Sequence, residues 1–310
     1  MREQAEQIID AILDSYEMHD VTVRIDTENI VNKDILIQVI EQLRRIVFPG
    51  FFDTNRVRSN YIKYLVGQRV EFVQYHLRKQ IARVMGNDET CDSCPKSTVV
   101  PEAERIVTDF LKRIPKIREY LYTDVQAAFD GDPAALDTDE VIFSYPGIFA
   151  ITVYRIAHEL VLLEVPLIPR IMTEYAHSLT GIDIHPGATI GKYFCIDHGT
   201  GIVIGETTTI GEHVKIYQGV TLGALSTRRG QLLKGEKRHP TIGNYVTIYS
   251  GTSVLGGNTI IGDDVTIGGN AFIVNSISAG MKVNVKNPEL QYSRDPHTDA
   301  EQDGFWDWVI

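Results

Sequence analysis

Residues 184–223 read IHPGATIGKYFCIDHGTGIVIGETTTIGEHVKIYQGVTLG. Branched aliphatics recur in this run at Ile184, Ile190 and Ile196, then at Ile204, Ile210, Ile216 and Leu222. After an interruption they resume at Ile242, Ile248, Val254, Ile261, Ile267 and Ile273. Gly follows the aliphatic at Gly191, Gly205, Gly211, Gly223, Gly243, Gly262 and Gly268. Four places on stands a small or β-branched residue: Ala188, Thr200, Thr208, Val214, Val220, Val246, Thr252, Val265 and Ala271. A six-residue period is the signature of a parallel β-helix. Each hexad gives a short strand and a corner, and three hexads close a triangular coil. The aliphatic and the small residue point inward and stack on their equivalents in neighbouring coils. Roughly fourteen hexads, hence roughly four to five coils, are expected from such an array.

Between Gly223 and Thr241 the phase is lost. Residues 224–240 read ALSTRRGQLLKGEKRHP and carry five Lys/Arg and one His. A long loop inside a compact repeat is a candidate for function.

The chain has 310 residues, enough for one large or two medium domains, and the repeat takes about the last third. The net charge of −11 argues against nucleic acid or an anionic membrane as a main partner. Met1-Arg2-Glu3-Gln4 is polar and leads into an amphipathic pattern, so neither a signal peptide nor a membrane span is expected. Three Cys make no disulfide framework, and a reducing cytoplasm is the default. The single CxxC at Cys91–Cys94 lacks a second pair for zinc and lacks a βαβ context for redox chemistry.

Ahead of the repeat the pattern is helical. A first helix over 1–20 puts Ala5, Ile8, Ile9, Ile12 and Leu13 on one face. A second should run from a Thr27 cap to Phe48, where Pro49-Gly50 stops it, and a third from Asn55 to Met85. A fourth should start at Pro101 and reach Phe129, kinked or broken at Pro115, before the Asp130–Pro133 loop. Two more should follow Tyr145-Pro146-Gly147 and Pro166/Pro169, ending near Gly181. The expected class is α+β: a helical domain over 1–181, a left-handed parallel β-helix of hexapeptide repeats over 182–286 with the 224–240 excursion, and a tail over 287–310. The tail is polar and acidic to Gly304, then ends Phe305-Trp306-Asp307-Trp308-Val309-Ile310, a segment suited either to docking on a partner or to packing on its own domain.

Four His fall in or beside the repeat: His185, His198, His213 and His239. Their spacing does not resemble the three-His metal centre of β-helical carbonic anhydrases, so no metal is expected. His198 stands in Cys195-Ile196-Asp197-His198-Gly199-Thr200-Gly201, where two Gly leave space beside the ring. Asp183 precedes it by fifteen residues, close to one coil, and could hydrogen-bond the ring from the coil below. A carboxylate on one nitrogen would leave the other free as a general base. Spacing alone leaves a structural surface His equally open. Cys195 sits beside Phe194 in a strand and reads as structural rather than as a nucleophile.

Asp183-Ile184-His185-Pro186, the run Ile196 to Thr207, Gly219-Val220-Thr221-Leu222-Gly223 and Lys237-Arg238-His239-Pro240 together resemble the serine O-acetyltransferases, as does Tyr145-Pro146-Gly147 leading to Tyr154-Arg155-Ile156-Ala157-His158. The resemblance covers about residues 130–285. It implies acetyl transfer from acetyl-CoA to the hydroxyl of L-serine, the committed step toward L-cysteine, in a ternary complex. His198 would be the base, paired with Asp183. Asp132 and Pro133, Asp197, Arg238 and His239 would hold serine: carboxylates for its ammonium, a guanidinium for its carboxylate. Acetyl-CoA would lie between coils of two subunits of a trimer, close to Gly219, Gly223, Ser250 and Gly251, with Lys237 and its basic neighbours Arg228, Arg229 and Lys234 able to meet its phosphates. Two trimers would join through the helices into a hexamer, and L-cysteine would inhibit at the serine site. Another hydroxyl acceptor, a sugar or homoserine, would keep His198 without needing Asp132 and Arg238. A non-catalytic scaffold acting through the tail is a third reading, and the His198/Asp183 pair speaks against it. Family members often end in Ile, whose carboxylate enters the active site of O-acetylserine sulfhydrylase. Ile310 fits, although Trp306 and Trp308 depart from the usual smaller lead-in. Deleting Ile310 should therefore abolish binding to the sulfhydrylase in a titration; unchanged binding would refute the docking.

Overall fold

The computed structural model describes residues 2–18, 22–23, 31–54, 56–86, 96–226, 228 and 230–286. Cys91, Cys94, Arg229 and the tail with Ile310 lie outside the described residues. Eight described helices come first: α1 (Arg2–Met18), α2 (Lys33–Val47), α3 (Ile62–Gly86), α4 (Lys96–Lys112), α5 (Ile114–Gly131), α6 (Thr138–Ser144), α7 (Pro146–Val161) and α8 (Ile168–Thr180). Fourteen short strands follow, from β1 (Asp183–Ile184) to β14 (Lys282–Val283).

The helical boundaries shift from the sequence expectation for local reasons. α2 starts at Lys33 because Asn32 caps it, its side-chain oxygen accepting from Ile35 N–H at 3.0 Å. α3 begins at Ile62, after a single 3₁₀ turn at Ser59–Tyr61. The helix expected over 101–129 is two helices. Pro115 falls in the first turn of α5, where a missing N–H costs nothing, and Pro101 lies inside α4. The short α6 went unforeseen; Asp137 caps it by accepting from Glu140 N–H at 2.8 Å. α8 ends as expected, with Gly181 left-handed at φ 69°.

All strand pairs are parallel, and they form three sheets: β1-β4-β7-β10-β13, β2-β5-β8-β11 and β3-β6-β9-β12-β14. Through β13 every third strand stacks on the last, which is the coil inferred from the hexads; β14 closes the array by pairing with β12. β3 (Cys195–Asp197), β4 (Val203–Ile204), β6 (Lys215–Tyr217) and β7 (Thr221–Gly223) carry the features used below. The in-phase aliphatics from Ile184 through Ile267 are all buried, and Ile273 near the open end is partly so. Thr200 is the exception among the small residues. It is exposed, and Ile202 takes the inward place. The cause is a wider first coil: Asp183 pairs with Val203 twenty residues on, whereas Val203 pairs with Thr221 eighteen residues on. The two extra residues are accommodated in the corner 198–201, where His198, Gly199 and Gly201 have φ of 85°, 83° and 80°. The excursion is absorbed at one corner: Thr209 pairs with Thr241 and Thr221 with Ser253, in unbroken phase.

The first coil has no coil beneath it, so its lower backbone groups need other partners. α5 and α7 supply them. Tyr154 Oη donates to Ala188 O at 2.7 Å. Arg155 donates to Ile190 O at 2.5 Å and Gly191 O at 2.6 Å. Tyr193 N–H and Phe194 N–H donate to Thr123 Oγ1 and Asp124 Oδ1 at 3.1 and 3.0 Å. Asp124 and Arg155 also pair with each other through two 3.0 Å bonds while almost wholly buried. This double duty explains why α7 is buried on nearly every side. No single described helix is long and apolar enough to cross a membrane; α6 and α7 pass that test only as a pair bent by 74°.

Arg155→Met should strand the Asp124 charge and destabilise the protein by about 3–5 kcal/mol in urea unfolding, with Asp124→Leu/Arg155→Met less affected.

Candidate active site

The widened corner opens onto a cavity of about 320 Å³ between the helices and the solenoid. Asp132, Tyr145, Cys195, Asp197, His198 and Lys215 are among its lining residues. Asp132 is the capping residue just past the end of α5, and Pro133 begins the turn after it. Its Oδ1 accepts from Ala134 N–H at 2.8 Å and its Oδ2 from Tyr145 Oη at 2.6 Å. The Tyr145 hydroxyl, then the Ala134 N–H, hold the Asp132 carboxyl below the usual carboxylate range, and the same bond pushes the Tyr145 phenol up to about 12. Asp197 ends β3 and receives Lys215 Nζ on Oδ2 at 2.7 Å. His198 follows it at the exposed corner, with Nε2 3.7 Å from Asp197 Oδ1. A non-glycine residue at φ 85° holds about 1–3 kcal/mol of backbone strain, which persists where surroundings enforce it and commonly marks a functional position. Cys195 is buried, and desolvation pushes its thiol up to about 12, which suits a packing role rather than a nucleophile.

A second cluster sits at the other end of β4. Arg238 pairs with Glu206, and Arg238 N–H and His239 N–H donate to Thr207 Oγ1 at 3.0 and 3.1 Å. Burial raises the Glu206 carboxyl most, but the Arg238 hydrogen bond and the surrounding charges together outweigh it and leave the group below its usual range. Burial, then the Arg238 charge, lowers His239 to about 4, so its ring is neutral near pH 7. Thr207 N–H donates to His239 Nδ1 at 3.0 Å. In a neutral ring that leaves the hydrogen on Nε2, as a donor. The ring lies directly over Gly205: a Cβ there would come within 2.1 Å of it. His185 stands nearby, lowered first by burial and then by Arg170.

The structure thus brings Asp132, Asp197 and His198 together, and sets Arg238 and His239 at the far end of the strand that leaves the His198 corner. Asp183 lies on β1 at the start of the same first coil, where Arg170 donates to it at 3.3 Å; among the described residues the carboxylate in ion-pair range of His198 is Asp197. Gly219 and Gly251 stack above Gly201 in the same corner, Gly219 N–H donating to Thr200 O and Gly251 N–H to Gln218 O, each at 3.0 Å. Ser250 precedes Gly251 there, whereas Gly223 packs beside Leu255 at the end of β7. Lys237 Nζ donates to the carbonyls of Thr207 and Pro240, at the Arg238 end. Glu174, His177 and Asp183 place ligand atoms within 4.8 Å of one another, but Arg170 already pairs with both carboxylates. His213 stacks between Tyr193 and Tyr245 at 4.2 and 4.7 Å, on a different corner. The sequence reading missed Tyr145 as the partner of Asp132 and Lys215 as the partner of Asp197. Lys215 is a lone charge between two inward aliphatics, and only the twenty-residue first coil aligns it with Cys195.

A solenoid of hexads carrying an imidazole beside paired carboxylates at one corner is the architecture of a hexapeptide-repeat acyltransferase. No family model matches the chain. The plasmid serine acetyltransferase of Synechococcus elongatus is 43% identical over 255 residues, 80% of either chain. A crystal structure of serine acetyltransferase isoform 3 of Entamoeba histolytica in complex with cysteine superposes with a TM-score of 0.71 at 35% identity, covering 96% of this chain and 98% of that one. The serine acetyltransferase 1 of the same organism, in complex with L-cysteine, superposes with a TM-score of 0.69 at 37% identity, covering 87% and 95%. The chain belongs to the serine acetyltransferase family, and its solenoid is the left-handed β-helix of that family.

His239 binds its proton in the fold only near pH 4, whereas an unfolded His does so near 6.5. Between those values the unfolded chain holds more protons, so stability should fall as pH drops from about 6.5 to about 4. Burial lowers His158 and His185 in the same direction. Urea midpoints across this range should show the decline, and His239→Gln should flatten it.

Proposed function

We propose that this chain transfers the acetyl group of acetyl-CoA to the hydroxyl of L-serine, giving O-acetyl-L-serine and CoA, as the first committed step toward L-cysteine. The single observation that carries the reading is the cavity in which Asp132 and Asp197 face the same space as His198. Two fixed carboxylates suit an amino-acid ammonium, and an exposed imidazole beside them suits its hydroxyl.

In this reading serine enters with its ammonium between Asp132 and Asp197, Pro133 shaping the rim. His198 takes the hydroxyl proton as the oxygen attacks the thioester carbonyl. The tetrahedral intermediate collapses, the C–S bond breaks, and the imidazolium returns its proton to the departing CoA sulfur. Both substrates are held at once, so a chance encounter becomes a positioned attack. The carboxylate that orients His198 is assigned to Asp183 on the family pattern. The ring, with 78% of its side chain exposed, would turn toward β1, and Asp183 would exchange Arg170 for it.

The serine carboxylate requires Arg238, and the oxyanion a donor such as His239 Nε2–H. Both lie at the far end of β4 from His198. The site would therefore close when the Arg238–His239 end of one copy meets the His198 corner of another, as in a trimer, or in a hexamer built from two trimers through the helices. The corner column at Gly219, Ser250 and Gly251 presents backbone and one hydroxyl, which leaves room for the pantetheine arm above His198, with Gly223 further along. Lys237 is left a structural share, because its ammonium is already bound by carbonyls. L-cysteine differs from serine by a thiol for the hydroxyl and would occupy the same clamp as an inhibitor; two related structures hold it. The tail ending in Ile310 would serve the sulfhydrylase that consumes the product.

Release of the CoA thiol should depend on L-serine and not on homoserine or sugars; absence of serine-dependent release would overturn the reading. His198→Ala should lower turnover by about 10²–10⁴-fold with the oligomer intact, and retained turnover would remove His198 as the base. L-cysteine should compete with serine.

A further inference from the structure

We infer that Lys215 is a positioning residue for the acceptor: one ammonium locks together, across the junction of helices and solenoid, the two carboxylates that receive the substrate's ammonium. This rests on the acceptor reading above and adds to it the part that sets the cavity's geometry and charge.

Lys215 stands on β6, in register with Cys195 one coil below. Its Nζ donates to Asp197 Oδ2 at 2.7 Å and to Gly131 O at 2.7 Å. Gly131 is the last residue of α5 and immediately precedes Asp132. Asp197 immediately precedes His198. A single side chain therefore fixes the residue before one carboxylate and the carboxylate before the base, although they come from different domains. Partial burial opposes its charge, but the contacts with Asp197 and Tyr217 and the neighbouring negative charges together outweigh this, and its pKa is raised. Tyr145 pins the other carboxylate from the start of α7. Each carboxylate is thus anchored by a side chain from another element, Tyr145 for Asp132 and Lys215 for Asp197.

The charge balance gives the arrangement a chemical meaning. Asp132 from the end of α5, Asp197, His198 and Cys195 from β3 and its corner, Tyr145 from α7 and Lys215 itself are the titratable groups lining the cavity; Tyr217 flanks Lys215 on β6. Among its carboxylates and lysine, two negative charges and one positive leave one net negative charge. That matches one ammonium on the acceptor. Without Lys215 the cavity would carry a second negative charge, which would repel the acceptor's carboxylate and draw a proton onto His198.

The test compares wild-type, Lys215→Met, Lys215→Gln and Lys192→Met enzymes in the CoA-release assay. Lys192 pairs with Glu119 and so also ties α5 to the solenoid, but outside the cavity. Lys215→Met is expected to raise the serine KM about tenfold or more while the acetyl-CoA KM stays within about twofold. The acid limb of kcat/KM for serine should move to higher pH, because loss of a nearby cation favours the imidazolium. Lys192→Met should change neither. Should the Met variant not fold, the Gln variant, which keeps an N–H for Gly131 O, carries the same expectation. A serine KM within about twofold of wild type in the folded Lys215 variants, a parallel rise in both KM values, or the same pattern in Lys192→Met would overturn the inference. Wild-type enzyme without serine-dependent release would instead overturn the acceptor reading itself, before any variant is compared.

Discussion

A parallel solenoid satisfies its own backbone everywhere except at its ends, and here the lower end is closed by two buried side chains of opposite charge. Arg155 and Asp124 would each be costly to bury alone. Paired, they still have hydrogen-bonding capacity left over, and they spend it on the first coil: the guanidinium on two carbonyls, the carboxylate on the Phe194 N–H. Tyr154, Thr123 and His158 complete the seal, His158 through Pro186 O at 2.8 Å. The helices are therefore not a separate body resting on a finished coil. They are the cap without which the first coil would present an open edge.

That cap determines where chemistry can occur. Because α5 must deliver Asp124 to the edge, its C-terminus arrives beside β3, and the chain leaves it through Asp132. The first coil is also the one with a twenty-residue circumference. Two extra residues within a strand would keep the inward alternation but lengthen one side of the triangle and carry its corner out of line with those above, so they bulge at a corner. Sealing the edge and widening the corner meet at one place, and the cavity is the space left between them. The strained His198 backbone follows from the same accommodation.

The hexad phase made the solenoid legible because inward stacking demands it at every coil; Ile216 or Val265 could hardly be anything else. Helix ends were less legible, since Asn32 and Asp137 act as caps through side-chain bonds that compete with many similar residues nearby. Thr200 misled because it obeyed the local spacing while the coil had gained two residues, and circumference is not a local property. Asp132, Asp197, His198, Arg238 and His239 could be named from their neighbours in the chain. Tyr145 and Lys215 could not, because what gives each its role is a partner supplied by a different element. That Arg238 and His239 fall at the opposite end of β4 from His198 was equally hidden until the strands were placed.

The excursion after β7 separates Thr209 from its partner Thr241 by an entire extra loop, yet the coils above and below stack as though nothing intervened. Closing a longer loop costs only the logarithm of its length, and each coil is held by its immediate neighbours. The loop is thus mechanically decoupled from the thread it interrupts. Arg238 and His239 ride on its returning end, where length and composition can drift without disturbing a single inward aliphatic. A descendant of this chain could rewrite that surface segment, and the coils beneath it would inherit nothing of the change.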